Sequence, residues 1–463
     1  SVTGSNDPLL IVDGVPLFNN DLSTLNTKDV VSVDVLKDAS ASAIYGARAS
    51  NGVVIITTKR GQTGKPVISF SMDLGFENIA KRYEVLTTDQ QRRLFVEAFK
   101  NTNRNPEVYE NINDPVWQIQ TDWQDLGTRT GVRQNYNLSV QGGSESNKYA
   151  ISGSFSRRLG TMKNSDLNEF FLRANNDISI GKRLKIASSL SGAHQRQNKL
   201  SNDAWGSGAY QRLISSHTYL PAYDETGDFF AVTSAADPYF GENSNPLINQ
   251  LMDVNKENSS RMMASIKLDY KILDDLTFTV NTGADLGFVN GYRYLPVYKY
   301  GRYTRTEGST TNTSKETINW VTEATLQYSK TWKKHSLSAL IGASAQQYVV
   351  KQTSTTGTGT IDNSLDQLSN QTNFTATATS VTSALASTFV RLNYSFNDRY
   401  LFTGTVRRDG SSKFGPDKRY GIFPSISGAW RMSEEAFLRD VDFLTNLKLR
   451  VGPETRISGI LLM

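Results

Sequence analysis

Beyond residue 67, apolar and polar side chains alternate with a period of two, as in a strand whose two faces meet different environments. In residues 262–272, Met262, Ala264, Ile266, Leu268, Tyr270 and Ile272 share one face, while Met263, Ser265, Lys267, Asp269 and Lys271 share the other. After the turn-forming pair Asp274-Asp275, one parity carries Leu276, Phe278, Val280, Ala284, Leu286 and Phe288, and the other carries Thr277, Thr279, Asn281, Gly283, Asp285 and Gly287. The pattern predicts a hairpin with arms well over ten residues long. Strands of soluble proteins average about 5–6 residues, so arms of this length predict a wall that crosses a thick slab.

The alternation recurs along the chain. Tyr136/Leu138/Val140 oppose Asn135/Asn137/Ser139, Tyr149/Ile151/Phe155 oppose Ala150/Ser152/Ser154/Ser156, and Leu172/Ala174/Ile178 oppose Phe171/Arg173/Asn175/Asp177. Leu184/Ile186/Leu190 oppose Lys185/Ala187/Ser189/Ser191; further runs are Ala324/Leu326/Tyr328, Leu337/Ala339/Ile341/Ala343, Val390/Leu392/Tyr394/Phe396 and Tyr400/Phe402/Val406. In all, about 13 strands are predicted. Short connections fall at residues 142–146, 181–182, 274–275, 332–334 and 397–398, and long polar ones at about 194–257, 289–315 and 349–381. Short turns at one end and long loops at the other are the asymmetry of a transmembrane barrel. Tyr149, Phe170, Phe171, Tyr328, Trp332, Tyr394, Phe396, Tyr400 and Phe402 near strand ends suit an interfacial belt. A soluble two-sheet protein also alternates and carries aromatics, so the pattern alone leaves that architecture open.

Residues 1–60 read differently. LLIVDGVPL (residues 9–17), VVSVDVLKD (30–38), the Ala/Ser-rich ASASAIYG (39–46) and NGVVIITTKRG (51–61) predict strand, strand, a short helix and strand. Asp13-Gly14 and Asn51-Gly52 are turn pairs. So small a module has a marginal core and is expected to lean on a larger body.

Composition narrows the chemistry. The 463 residues contain no cysteine and three histidines, His194, His217 and His335, which excludes a disulfide framework and thiolate zinc sites and leaves little for an imidazole metal centre. The net charge of +5 is nowhere gathered into a Lys/Arg block, so nucleic-acid binding has no support. No apolar run approaches a membrane-spanning helix, whereas spanning strands are compatible with a mean hydropathy of -0.42. The polar opening SVTGSNDP is no secretory signal and suggests a processed product or an internal fragment. Adjacent acids such as Asp274-Asp275 and Glu434-Glu435 do not make the opposed pair that glycoside hydrolysis needs, and no catalytic constellation emerges. Asp13 and Asp409 lack the spaced oxygen series of a calcium loop and read as turn residues.

Two stretches carry a specific likeness. GSNDPLLIVDGVP (residues 4–16) followed by SVDVLKDASASAIYGARASNGVVIITTKRG (32–61) closely resembles the plug-domain signature of the SusC/RagA family of TonB-linked outer-membrane transporters of Bacteroidetes-type bacteria. Asp13, Gly14, Lys37, Asp38, Tyr45, Gly46, Arg48, Asn51, Gly52 and Lys59 stand within it. VRRDGSSKFGPDKRYGIFPSISGAWRMSEEAF (406–437), with Arg408, Asp409, Gly410, Ser411, Ser412, Phe414 and Gly415, looks like the family's mid-barrel strand, loop and strand. The resemblance implies a mainly β fold: an antiparallel transmembrane barrel, 22-stranded in the complete family fold, with a small α+β plug in its lumen. Residues 1–64 would be the C-terminal part of the plug and 65–463 the first and middle parts of the barrel. At about 30 residues per strand a closed barrel needs on the order of 660, so the chain reads as a segment. The N-terminal extension, the TonB box and the start of the plug would precede Ser1, and further barrel strands would follow residues 447–450.

The implied function is TonB-dependent import of oligosaccharides or peptides across the outer membrane. The implied partners are a SusD-like surface lipoprotein acting as a lid, TonB through the preceding segment, and outer-membrane lipid. Neither cofactor nor metal is implied, and the chain is not read as an enzyme. Arg48, Lys59 and Arg60 are candidates to pair with lumen-facing acids or to remain solvated. Trp205, Tyr210, Tyr219, Tyr223, Phe229, Phe230, Tyr239 and Phe240, together with YRYLPVYKY (292–300), are candidates to stack on sugar rings, hold peptide side chains, pack against the lid or fold the loop. A non-transporting receptor or adhesin that binds through its long loops is the competing reading.

Overall fold

The computed structural model describes residues 7–17, 22, 25–36, 51–200, 208–230, 245–300, 303–435, 437–438 and 447–452. Four strands of the N-terminal module pair in the order β2-β1-β4-β3: β1 (Leu9–Val12), β2 (Val15–Pro16), β3 (Val30–Leu36) and β4 (Val53–Thr58). Asp13 and Gly14, at φ 48° and 85°, form the two-residue turn between β1 and β2, where the second position suits a residue without a Cβ. Leu9, Ile11 and Val53 pack on one face of this sheet. On the other, Leu10, Val12, Leu17 and Ile56 complete their core with Met263, which comes from the large sheet. The module therefore does lean on a larger body, and Met263 is where. The Ala/Ser-rich helix expected at 39–46 lies outside the described residues.

Thirteen antiparallel strands make the large sheet, each paired to its sequence neighbours in the wall. They are β5 (Gly64–Glu77), β6 (Gly131–Gly143), β7 (Asn147–Leu159), β8 (Asp166–Ile180), β9 (Leu184–Asn198), β10 (Val254–Leu273), β11 (Leu276–Leu295), β14 (Gly308–Trp332), β15 (His335–Thr360), β16 (Asn373–Phe396), β17 (Tyr400–Ser411), β18 (Tyr420–Arg431) and β19 (Lys448–Val451). A small hairpin, β12 (Tyr298–Tyr300) and β13 (Tyr303–Arg305), stands apart between β11 and β14. The turns expected at 142–146, 181–182, 274–275, 332–334 and 397–398 all join neighbouring strands, and Lys333, Asn397 and Asp398 take the positive φ that tight reversals require.

The two faces of the wall differ as the alternation predicts. Met262, Ile266, Leu268, Tyr270, Phe278, Phe288, Val390, Leu392, Phe402 and Val406 are exposed on one side. Met263, Ser265, Asp285, Asn319 and Ser387 are buried on the other. The buried side holds the small module, whose residues meet side chains of β5, β6, β7, β8, β9, β10, β11 and β14. Eight strands about 4.8 Å apart can surround one four-stranded sheet only if the wall curls about it.

Two expectations need correction. The second and third long connections are mostly strand: β11 runs to Leu295, β14 starts at Gly308, β15 runs to Thr360 and β16 starts at Asn373. In the tops of β14, β15 and β16 Thr and Ser stand on both faces, so hydrophobic alternation is silent there. Thr and Ser nevertheless pair across the strands, as with Thr311 and Thr356, whose hydroxyls lie 2.9 Å apart. Phe171 shares the inward parity of Arg173 and does not belong to an outward belt.

On the exposed apolar face, Ile266→Arg is expected to cost about 2–4 kcal/mol of barrel stability. Urea titration of the folded protein in vesicles measures it; Ile266→Leu should leave the midpoint unchanged.

Candidate functional site: the plug lock and the outer loops

The small module is pinned to the wall through the turn after β1. The Asp13 carboxylate accepts hydrogen bonds from the Thr58 amide (3.0 Å) and hydroxyl (2.6 Å) at the end of β4. It also receives the Arg173 guanidinium of β8 at 3.1 Å and the Ser189 hydroxyl of β9 at 3.4 Å. Arg173 reaches the Asp29 carboxylate at 3.8 Å. Two residues along β8, Asn175 donates to the Thr58 hydroxyl (2.9 Å) and the Lys59 carbonyl (2.6 Å). Two further, Asp177 pairs with Arg60 at 2.5 Å. Because side chains at i, i+2 and i+4 share a strand face, Arg173, Asn175 and Asp177 form one inward row. The side chains of Asp13 and Arg173 are 3% and 6% exposed, so this pair lies in a nearly dry contact.

Further along the wall, Asn281 donates to the Gly14 carbonyl at 3.3 Å and Asn319 to the Pro16 carbonyl at 3.1 Å, with Gln346 holding Asn319 at 2.8 Å. Gly283 lets Val15 approach: a Cβ there would lie 2.5 Å from a Val15 methyl. Arg261 and Asp285 form a bidentate pair, both bonds 2.6 Å, on the same inward face.

Of the signature residues, Asp13 and Gly14 thus join the module to the wall. Gly52 accepts the Leu9 amide at 3.0 Å, Asn51 precedes it in the turn, and Lys59 meets the wall through its carbonyl. Lys37, Asp38, Tyr45, Gly46 and Arg48 lie outside the described residues. Arg173, Asn175, Asp29 and Thr58 were not singled out as site residues. A usable signal was present: Arg173 is a charge at inward parity opposite the apolar run Phe170, Leu172 and Ala174 on the strand's other face.

The mid-barrel motif closes the β17–β18 hairpin. Arg408 lies 4.2 Å above the Tyr420 ring, Asp409 accepts from Arg407 Nε at 2.6 Å, and Gly410 leaves room for the Tyr420 ring crossing it. The Ser411 amide donates to the Arg419 carbonyl, Phe414 donates back to the Ser411 carbonyl, and the Gly415 carbonyl receives Lys418. Ser412 exchanges two hydrogen bonds with Ala384 of β16.

Beyond the long-connection end of the wall, two chain segments fold together. The stretch 78–130, which lacks alternation, contains α1 (Thr88–Asn101), α2 (Glu107–Glu110) and α3 (Trp123–Gly127); the connection from β9 to β10 adds α4 (Ala209–Ser215) and α5 (Pro246–Met252). A capping box of Thr87 and Gln90 starts α1, with bonds of 3.3 and 2.9 Å. Tyr109, Val116, Trp117, Trp123, Leu213, Tyr219, Leu220 and Leu247 form the core. The His217 ring stacks on Tyr219 at 5.0 Å and meets the edge of Phe95 at 5.5 Å, and its burial holds the imidazole below its ordinary pKa.

The aromatic candidates separate in this module. Tyr219, 1% exposed, belongs to its core, with Tyr210 and Phe230 packed partly buried against it. Tyr223 remains exposed and stacks on Phe229 at 5.7 Å; Phe229 meets Tyr300 edge-on at 5.6 Å. Tyr298 follows at 5.9 Å under the Arg305 guanidinium, 4.7 Å above its ring. Trp205, Tyr239 and Phe240 lie outside the described residues.

Comparison with known proteins bears on this geometry directly. A model of the TonB-dependent receptor plug domain matches residues 2–53, the segment that carries the Asp13 turn. TonB-dependent receptor SusC of Bacteroides thetaiotaomicron is 31% identical, the match covering 98% of this chain and 46% of SusC. The chain belongs to the SusC/RagA family of TonB-dependent receptors. TonB-dependent receptor P26 of Formosa agariphila is likewise 31% identical, over 98% of this chain and 46% of its own. The RagAB peptide transporter superposes with a TM-score of 0.85 at 24% identity, covering 98% of this chain and 54% of that one, which speaks for the fold. This chain spans about half the length of the curated relatives it matches.

The small module of this SusC/RagA chain is thus its plug, and the wall is part of an outer-membrane barrel. At the short-turn end, Trp332 stacks on His335 (5.5 Å), His335 meets Phe396 (5.0 Å), Phe396 stacks on Tyr400 (6.4 Å) and Tyr400 on Trp430 (6.4 Å). Each step is a cross-strand pair, giving a continuous aromatic row suited to the membrane interface. Glu435 beneath it accepts from Tyr400 (2.8 Å) and Trp430 (3.1 Å).

Two outcomes follow. Arg173→Leu, which strands the buried Asp13 and Asp29, should weaken plug seating by about 3–5 kcal/mol; cells carrying it should admit bulky antibiotics that the parent excludes. A His217 pKa held below its unfolded value of 6.5 means stability present above that pH and lost as pH falls below it. Thermal unfolding of the loop module should therefore weaken on acidification below pH 6.5, and His217→Phe should flatten that dependence.

Proposed function

We propose that this chain forms part of a TonB-dependent importer that carries oligosaccharides or peptides too large for open pores across the outer membrane, with a SusD-like surface lipoprotein over its mouth. The observation that carries the reading is the plug lock. A module seated on eight strands of the wall through a buried ion pair blocks the lumen at rest, so passage requires that the contact be broken and remade. Polar contacts suit this role: a buried salt bridge contributes little net stability yet fixes register, and water can re-solvate its partners when the plug shifts. The preceding segment of the longer protein would supply the TonB contact.

The row of exposed Tyr223 with half-buried Phe229 and Tyr300 is the proposed first contact for cargo, because ring faces stack on sugars and equally accept apolar peptide side chains.

Uptake of a labelled malto-oligosaccharide series and of a labelled peptide mixture by cells carrying the full-length protein tests the reading. Accumulation should cease when energy coupling through TonB is abolished. Uptake indifferent to coupling would overturn active import, and binding without uptake would favour the receptor reading. Tyr223→Ala combined with Tyr300→Ala should raise the half-saturating concentration about tenfold with little change in maximal rate.

A further inference from the structure

Pairing along β16 is one-sided. Its register with β15 extends through Asn373, but β17 pairs only with residues 385–396. Ser412 closes the last rung, donating its amide to the Ala384 carbonyl at 3.0 Å and accepting the Ala384 amide on its hydroxyl at 2.9 Å. Above that point β14, β15 and β16, of 25, 26 and 24 residues, stand clear of β17 and β18, which have 12 each. Residues 373–382 are all exposed.

Backbone groups of alternate residues in a strand point to opposite neighbours. Since Ala384 faces β17, and the register with β15 shows no shift, Phe374, Ala376, Ala378, Ser380 and Thr382 direct their N–H and C=O groups away from β15. Among the described residues nothing pairs with these five on that side. The free edge is about 30 Å long.

Such edges are ordinarily blunted by Lys, Pro or a bulge. Here residues 373–390 contain no charged side chain and no proline. Small Thr, Ala and Ser side chains flank the edge, so another backbone can approach. Donors and acceptors alternating at strand spacing are matched by an extended polypeptide, and not by a saccharide or an acyl chain.

We propose that the upper edge of β16 takes up an extended segment of a resident partner polypeptide at the cell surface as an added strand. The inference rests on the outer-membrane placement of the wall and not on what is imported. A resident partner fits better than cargo for two reasons. The edge lies in the plane of the wall rather than in the lumen, and a transported peptide held by up to ten backbone bonds would be retained. The complementary segment needs about nine extended residues without proline at alternate positions.

Residue-resolved amide exchange on the full-length protein tests this, comparing protein purified alone with protein in native outer membranes. The amides of residues 375, 377, 379 and 381, bonded to β15, should be slow in both. Those of 374, 376, 378, 380 and 382 should be fast in the purified protein and slow in membranes. Fast exchange in both states would overturn the proposal, and slow exchange in both would assign the edge to the protein's own chain, also overturning it. Protection that appears only on adding a peptide mixture that the cells import would assign it to cargo, with the same consequence. Ala378→Pro should leave residues 377 and 379 slow while speeding membrane-state exchange at 376 and 380 about tenfold. Thr379→Pro should instead disrupt the β15 rungs. If Ala378→Pro disrupts them too, the assignment of the open side is wrong.

Discussion

Everything the plug does depends on one carboxylate. Asp13 sits at the tip of a two-residue turn, in a contact where its side chain is 3% exposed. Burial of such a group is tolerated only if its oxygens are hydrogen-bonded and an opposite charge is close. Thr58 supplies the first requirement from within the plug, and Arg173 and Ser189 complete it from the wall. Half of the solvation shell of Asp13 therefore belongs to another body. That arrangement fixes where the plug sits more than how tightly it sits, because the gain from pairing roughly offsets the loss of water. The apolar half of the contact, Met263 against Leu10, Val12, Leu17 and Ile56, is small enough to be given up together with it.

Around this contact the wall has graded polarity. Its outward face is apolar through the membrane band and ends in an aromatic row at the short-turn end, as lipid and interface require. Its inward face carries amides, hydroxyls and paired charges, which hold the plug and line any path that opens beside it. Above the membrane the rim is uneven: three strands rise high, two stop low, and a helical module fills the space over the earlier strands. The contacts proposed for cargo and for a partner thus fall on distinct surfaces, a ring-lined patch beside the module and a bare backbone edge on the tall strands.

Sequence patterning carries the wall well, because lipid imposes one strict rule on alternate residues and Met262, Ile266 and Phe278 obey it. It fails where that rule lapses. The tops of β14, β15 and β16 are Thr- and Ser-rich on both faces, and only hydrogen-bonding register reveals them as strand. The helical module escapes for another reason: its core joins Trp117 and Trp123 to Leu213, Tyr219 and Leu247, residues close in space and some 90 or more positions apart in sequence. Tyr219 looks like a binding residue in a loop and is a core residue of a folded unit. Asp13 is legible as a turn former, since Asp-Gly is a local signal, but its pairing with Arg173 spans 160 positions and nothing local encodes it.

The most direct measurement of plug movement is a reversible tether across the contact where Val15 meets Gly283. The chain contains no cysteine, so a pair introduced at these two positions stands alone within it. In cells expressing the full-length protein with Val15→Cys and Gly283→Cys, oxidation should abolish uptake and reduction should restore it, while uptake by Val15→Cys alone, and by Gly283→Cys alone whatever its crowding against Val15 costs, is the same under both conditions. Undiminished uptake with the disulfide demonstrably formed would contradict the view that cargo passes only when the plug leaves the wall.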